Sequence, residues 1–187
     1  MNEKRELAVA AMSTSESQPG NYALILEDME DRRRMPIIIG AFEAQAIAIA
    51  VERMQPARPL THDLLKSMLD ALGAKLKEVL IHNLVDGVFH SRLLITQADG
   101  ALLELDARTS DAVALAVRCD APIFTFGHVI EEAGILADSI LARQKKGSLA
   151  AYSLAELEDL LEKVIEKEDY ESASRIRDYI RRRKSDE

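Results

Sequence analysis

One stretch, Met35 to Leu72, constrains this chain more than any other. It reads M-P-I-I-I-G-A-F-E-A-Q-A-I-A-I-A-V-E-R-M, then Q-P-A-R-P-L, then T-H-D-L-L-K-S-M-L-D-A-L. A short apolar run ends at Gly40 and a helical pattern begins at once, so a strand feeds directly into a helix. Met35–Ile39 is apolar without alternation, which predicts a strand covered on both faces. Ala41–Arg53 is apolar nearly all round (Phe42, Ala46, Ile47, Ile49, Ala50, Val51), which predicts a central helix. Pro56 and Pro59 stop it and stiffen the link that follows. Thr61 is a suitable N-cap for the next helix, and Asp63 puts a negative charge in its first turn. Leu64, Leu65, Met68, Leu69 and Leu72 form a stripe expected to be buried, and Gly73 is the expected stop.

Around this stretch the pattern alternates between strands and helices. Strands are predicted at Glu6–Met12, Asn21–Glu27, Leu76–Val85, Val88–Thr96, Ala101–Leu105 and Ile123–Phe126. Asp28–Arg34 reads as a charged turn. Asp86-Gly87 between two apolar runs is the strongest short hairpin signal in the chain. A regular hairpin sets Asn83 against His90 and His82 against Ser91, so His82 and His90 are expected on opposite faces, unable to share a metal. Thr109 or Ser110 is expected to cap an alanine- and valine-rich helix broken by Pro122, and a short helix is expected at Val129–Ala133. The fold class is therefore α+β: a compact mixed or antiparallel sheet with packed helices over residues 1–140.

A linker is expected over 141–152. Ser153-Leu154-Ala155-Glu156 is a capping box. It opens a helix with Leu154, Leu157, Leu161 and Val164 on one face. A turn at Glu168-Asp169 leads to a second helix carrying Tyr170, Ala173, Ile176 and Ile180. This predicts an antiparallel helical hairpin over 153–187 ending in Arg181–Lys184. So short a unit cannot build a full core alone, so its stripe is expected to meet another surface, a protein partner or a second copy, through residues 153–184.

The chain has 187 residues and a formal net charge of -8, which counts against general attraction to nucleic acid by long-range charge. One cysteine, Cys119, rules out an internal disulfide and a zinc site of several thiolates. The N-terminus has no signal-peptide pattern, and no apolar run approaches a membrane span. The expectation is a soluble, cytoplasmic protein with no membrane association.

No GxGxxG, P-loop, GxSxG or HExxH motif is present. Gly40 before a helix could cradle a phosphate, but Glu43 in the same turn opposes an anion. Glu43, His62, Asp63, Asp106 and Asp111 all fall at helix starts or a strand end, the places an α/β layer gathers at one edge. A histidine with Asp63, Asp106 and Asp111 would suit Mg²⁺ or Mn²⁺. Such an ion could activate water and offset charge on a phosphodiester, with Arg58 or Arg108 holding phosphate oxygens and Gln45 nearby. The competing explanation is architectural: acids in first turns suit the helix dipole, and Asp106 and Arg108 could be a structural pair. His128 has no visible partner and reads as surface.

Four segments, I-I-I-G-A-F-E-A-Q-A-I-A-I-A, R-P-L-T-H-D-L-L, V-D-G-V-F-H-S-R-L and L-D-A-R-T-S-D-A-V-A-L-A-V-R, in this order, resemble the bifunctional nuclease family over roughly residues 5–136. The resemblance implies a compact α+β domain with DNase and RNase activity, hence DNA or RNA as substrate. It supplies no catalytic residues. Ala41 and Thr109 stand where members often carry proline, at helix starts where proline is favoured but dispensable. The segment from Leu157 to Ile180, with Tyr170, Glu171, Ala173, Arg177 and Asp178, resembles the UVR motif of bacterial excision-repair subunits, which implies a hairpin for protein contact. Two functions follow: a metal-assisted nuclease, expected to be a homo-oligomer, or a non-enzymatic adaptor working through the hairpin.

Overall fold

The computed structural model describes residues 3–15 and 18–136, together with residues 157, 158, 161, 176–181 and 183. The chain divides into two compact units, Met1–Leu136 and Ala137–Glu187. The first unit is α+β. Its strands are β1 (Lys4–Thr14), β2 (Tyr22–Asp28), β3 (Arg33–Ile39), β4 (Lys75–Val85), β5 (Val88–Thr96), β6 (Leu102–Arg108), β7 (Ile123–Phe126) and β8 (Ile135–Leu136). Its helices are α1 (Ala41–Val51), α2 (Thr61–Ala71), α3 (Thr109–Cys119) and α4 (Gly127–Ala133).

All eight strands form one sheet in the order β6-β5-β4-β7-β1-β2-β3-β8. Every pairing is antiparallel except β4–β7. Two meanders, β4-β5-β6 and β1-β2-β3, are thus joined through the four residues of β7. Asp86 (φ 50°) and Gly87 (φ 77°) both adopt left-handed backbone, as a two-residue I′ turn requires, and Val85 pairs with Val88. The core is aliphatic, with Leu24, Leu26, Met35, Ile47, Val79, Ile81 and Val113 sealed from solvent. Helix α3 is its centre. Thr109, Ser110 and Ala112–Ala116 are all buried, and the helix packs on α1, α2, β4 and β5.

Several expectations need correction. Strand β3 is covered on one face only: Met35, Ile37 and Ile39 are buried and Ile38 is exposed. Its pairing with β8 reaches only Arg33 and Arg34, so Pro36, which has no N–H to give, sits on an edge. Helix α1 buries Ala44, Ala46 and Ile47 but leaves Phe42 85% exposed, so it is not covered all round. Helix α2 differs most from expectation. Leu64, Leu65, Met68 and Leu72 are exposed, Leu69 is half-buried, and His62 is its one buried residue. Periodicity shows that a helix has an apolar face, not that this chain supplies the cover. Asp28–Arg34 is shorter as a turn, because Asp28 ends β2 and Arg33 starts β3.

The histidine register also differs. Asn83 does face His90, but Ile81 rather than His82 faces Ser91, because β4 carries a one-residue bulge between Ile81 and Asn83. The extra residue reverses the alternation. The His82 and His90 rings lie with centroids 6.3 Å apart, so they share a neighbourhood rather than opposite faces. Helix α1 starts at Ala41 as expected, α4 starts two residues early at Gly127, and the caps of α2 and α3 also precede the expected ones. Leu60 is the N-cap of α2 and Arg108 that of α3, with Thr61 and Thr109 already helical.

In the second unit, Leu157, Ile176 and Ile180 are buried together, with Leu161 and Tyr179 packed against them. Two helical segments thus bury one another's apolar faces. The linker at 141–152, the capping box at 153–156, and Leu154, Val164, Tyr170 and Ala173 lie outside the described residues.

Candidate active site

The loop from Met54 to Leu60 delivers α2 so that His62 points inward, and the β6-to-α3 junction delivers Arg108 and Asp111. Between them lies a cleft of about 1000 Å³, lined by Glu43 and Phe42 of α1, Pro59, His62, Asp111 and Leu93 among others. At its centre His62 Nε2 meets Asp111 Oδ1 at 3.2 Å. Arg108 donates from Nε to Asp111 Oδ2 at 2.7 Å and from Nη2 to Oδ1 at 3.1 Å, a bidentate fork. The same Nη2 lies 3.0 Å from Glu43 Oε1. One network therefore links α1, α2, β6 and α3. Groups 49 residues apart in sequence touch through His62 and Asp111.

Burial pushes the Asp111 carboxyl up, but the hydrogen bonds and charges of Arg108 and His62 outweigh it, and the group lies below the ordinary carboxylate range. It is therefore an acceptor at neutral pH, which requires His62 Nε2 to donate in this contact. The hydrogen bond and charge of Asp111, then the hydrogen bond of Glu43, hold Arg108 charged. Its guanidinium side chain is 68% exposed. Glu43 folds back over the start of its helix, so that a side chain at Gly40 would collide with its carboxylate.

The other expected residues go elsewhere. Asp63, next to His62, turns away. Its Oδ2 accepts the Leu60 N–H at 2.8 Å, and its Oδ1 accepts from Arg118 Nε at 2.6 Å. Leucine has no side-chain acceptor, so only the carboxylate half of a capping box exists here. Burial raises the Asp63 carboxyl, but Arg118 and the Leu60 N–H bring it below its usual range. Asp106 borders the cleft but stands opposite Arg92 across the β5–β6 ladder, and its charge acts on His82. Asp106 and Arg108 are not paired; Arg108 takes Asp111 and Glu43 instead. Gln45 lines the cleft, whereas Arg58 is exposed in the loop and does not. Asp63, Asp106 and Asp111 thus do not converge. Among the described residues no group of three or more His, Cys, Asp or Glu side chains is arranged to hold a metal ion.

Arg118 was not singled out by its sequence position, where a basic residue at a helix end suits the dipole. Its side chain is only 5% exposed. Besides Asp63 it donates from Nη1 to the carbonyls of Ala46 and Ala114, at 3.0 and 2.9 Å, tying α1, α2 and α3 together. Asp28 is likewise buried and accepts from Arg5.

This architecture can be set beside known proteins. Residues 24–138 match the model of the bifunctional nuclease domain. The chain belongs to the bifunctional nuclease domain family. The matched span contains the whole His62–Asp111–Arg108–Glu43 network. An uncharacterised protein of Mycobacterium tuberculosis is 41% identical over 120 residues, covering 64% of this chain and 71% of that protein. Bifunctional nuclease 1 of Arabidopsis thaliana is 30% identical over 105 residues, 54% of this chain and 32% of the plant protein. Bifunctional nuclease 2 of Oryza sativa subsp. japonica is 30% identical over 91 residues, 48% and 28% of the respective lengths. The shared segment is thus about a third of each plant protein. Residues 151–185 match the UvrB/UvrC motif. No helix among the described residues is long and apolar enough to cross a membrane.

Proposed function

We propose that this chain hydrolyses phosphodiester bonds of DNA or RNA, and that the cleft centred on His62 and Asp111 is where it does so. The observation that carries the reading is the oriented His62–Asp111 pair beside an accessible arginine fork, inside the span shared with the bifunctional nuclease family. In this reading His62 is the general base. The ionised Asp111 fixes its tautomer and stabilises the imidazolium that forms when Nδ1 takes a proton from the attacking water; as the water oxygen bonds to phosphorus the P–O bond to the leaving oxygen breaks, and that oxygen takes a proton from solvent or from the imidazolium. Arg108 supplies N–H groups to non-bridging phosphate oxygens. Glu43 and Asp111 hold that fork in place until substrate arrives.

The network places one positive charge, on Arg108, against two carboxylates. An incoming phosphodiester adds a further negative charge, and a divalent cation would balance it. Three carboxylates are not available, but Mg²⁺ commonly binds through one or two carboxylates plus substrate phosphate, keeping several waters. We propose that Mg²⁺ or Mn²⁺ assists in this sparser form, held by Asp111 and Glu43, where it would supply charge neutralisation at the phosphate.

The test is hydrolysis of labelled single- and double-stranded DNA and RNA by the purified full chain, with EDTA, Mg²⁺ or Mn²⁺. Cleavage that falls in His62→Ala and Asp111→Asn supports the site. Equal cleavage by wild type and both variants would overturn it. A second reading, a protein-interaction role for the hairpin, is supported by the match of residues 151–185 to the UvrB/UvrC motif. It is compatible with the first, and deletion of 148–187 separates them: loss of a partner with cleavage retained assigns the two roles to different units.

A further inference from the structure

The chain is poor in aromatic residues, with four phenylalanines and no tryptophan, and three of the four phenylalanines are half-buried. Phe42 is the exception, 85% exposed. A lone exposed apolar side chain is ordinary; this one is set apart by its position. Phe42 lies in the first turn of α1, one residue before the Glu43 that holds the Arg108 fork, and it lines the cleft of His62 and Asp111. It also lines a smaller groove of about 510 Å³ between α1 and the ends of β1 and β2, where Met12 and Tyr22 form part of the wall.

The cleft and the groove have two residues in common, Phe42 and Gln45. Three positions apart on one helix, these side chains are surface neighbours. The Gln45 amide is exposed and has no hydrogen-bond partner among the described residues. The ridge between cleft and groove thus offers a bare ring beside an unspent donor and acceptor. Charge can supply little of the affinity here. The chain carries a net charge of -8, and the one basic side chain of the cleft, Arg108, is already shared by two carboxylates. Binding then falls to short-range contacts. A splayed-out nucleobase can provide them, its ring stacking on an aromatic side chain while a polar group reads its edge.

We propose that Phe42 and Gln45 form a base subsite, in which an unpaired nucleobase next to the cleaved phosphate stacks on the Phe42 ring and hydrogen-bonds through its edge to the Gln45 amide. The inference rests on the reading of the cleft as a phosphodiesterase site. It adds that the base is bound as well as the phosphate, so a base stacked within a duplex must first be extruded.

The test is fluorescence anisotropy of a labelled single-stranded DNA oligonucleotide with the full chain in EDTA, beside an oligonucleotide of the same length that is abasic throughout. Phe42→Ala should weaken binding of the intact strand about 5- to 150-fold, and Phe42→Trp should restore it. Gln45→Ala should weaken it less. The salt dependence should stay the same in Phe42→Ala, which removes no charge, and shrink in Arg108→Ala. The abasic strand should bind weakly and be indifferent to Phe42→Ala. Equal binding of the intact strand by wild type and Phe42→Ala overturns the subsite, and so does a loss in Phe42→Ala that is as large on the abasic strand. Should the variant fail to fold, the wild type decides: equal affinity for intact and abasic strands overturns the proposal, as does no binding to either. Cleavage that requires His62 yet ignores Phe42 would leave the active site standing without this subsite. Cleavage equal in wild type and His62→Ala would instead remove the active site, with the anisotropy still judging the base contact.

Discussion

Two arginine–aspartate pairs sit on opposite sides of the start of α2, and they use the same chemistry to different ends. In Asp63–Arg118 the arginine side chain is only 5% exposed, with Nε on the carboxylate, Nη1 on two helix carbonyls and Nη2 without a hydrogen-bond partner among the described residues. Asp111–Arg108 is open, its guanidinium 68% exposed and its carboxylate shared with a histidine. Adjacent residues, His62 and Asp63, therefore belong to different machines. His62 faces the cleft that holds Asp111 and Arg108; Asp63, at the border of a second cleft, engages the arginine that ties three helices together. What separates the two pairs is how far water can reach the arginine.

The contrast can be broken from either side. The largest effect is expected on activity: His62→Ala should lower cleavage per folded molecule by about 10²–10⁴-fold, the usual worth of a general base, beyond the moderate loss of melting temperature that removing a buried side chain brings. Steady-state rates beside a thermal melt check both halves. Next, Arg118→Met should cost about 3 kcal/mol or more in urea unfolding. It strips Asp63 of its counter-charge and removes the side-chain donor that the Ala46 and Ala114 carbonyls share besides their own helix hydrogen bonds. Cleavage per folded molecule should be little changed.

Acid titration sharpens the comparison. Asp63 has a depressed carboxyl in the folded state, so the stability it contributes is fully present above the unfolded value of about 3.9 and is lost as pH falls through the lower folded value. Wild-type stability should therefore fall steeply below about pH 4. Asp63→Asn should be less stable at neutral pH but flatter through that window, as denaturant midpoints at several pH values would reveal. The smallest effect is expected for Arg108→Ala, whose exposed pairs should cost under about 1 kcal/mol in stability. Its cleavage should nonetheless drop, mainly through weaker substrate binding. A stability loss as large as that of Arg118→Met would erase the distinction between the two pairs.

Much of the fold was legible because it is local. Asp86-Gly87 announces its hairpin through backbone conformations that few residues tolerate, and Gly73 ends α2 with φ 66° where a helix stop was expected. The strand-to-helix step at Gly40 follows from a change in period. What stayed hidden depends on distant partners. The bulge at His82 leaves no compositional trace, yet it reverses which side chains share a face. The stripe of α2 is as apolar as a buried one, and only the topology shows that nothing among the described residues of its unit covers it. Within the site, the meeting of the α2 start with the β6–α3 junction was anticipated from element ends. The separation of Asp63 from Asp111 was not, because a first-turn acid looks alike in sequence whether it faces a cleft or a buried guanidinium.

The position of β7 has a consequence for how the domain is made. Each meander can zip up from neighbouring segments, but β4 and β1 meet only through residues 123–126, which are synthesised after α3. Without β7 the inner edges of β4 and β1 have no strand partner. Their union waits on long-range contacts, the kind whose loop-closure cost slows folding. The four residues of β7 are thus the one backbone ladder between the two half-sheets, which before Ile123 are joined only by helix packing such as that of α3.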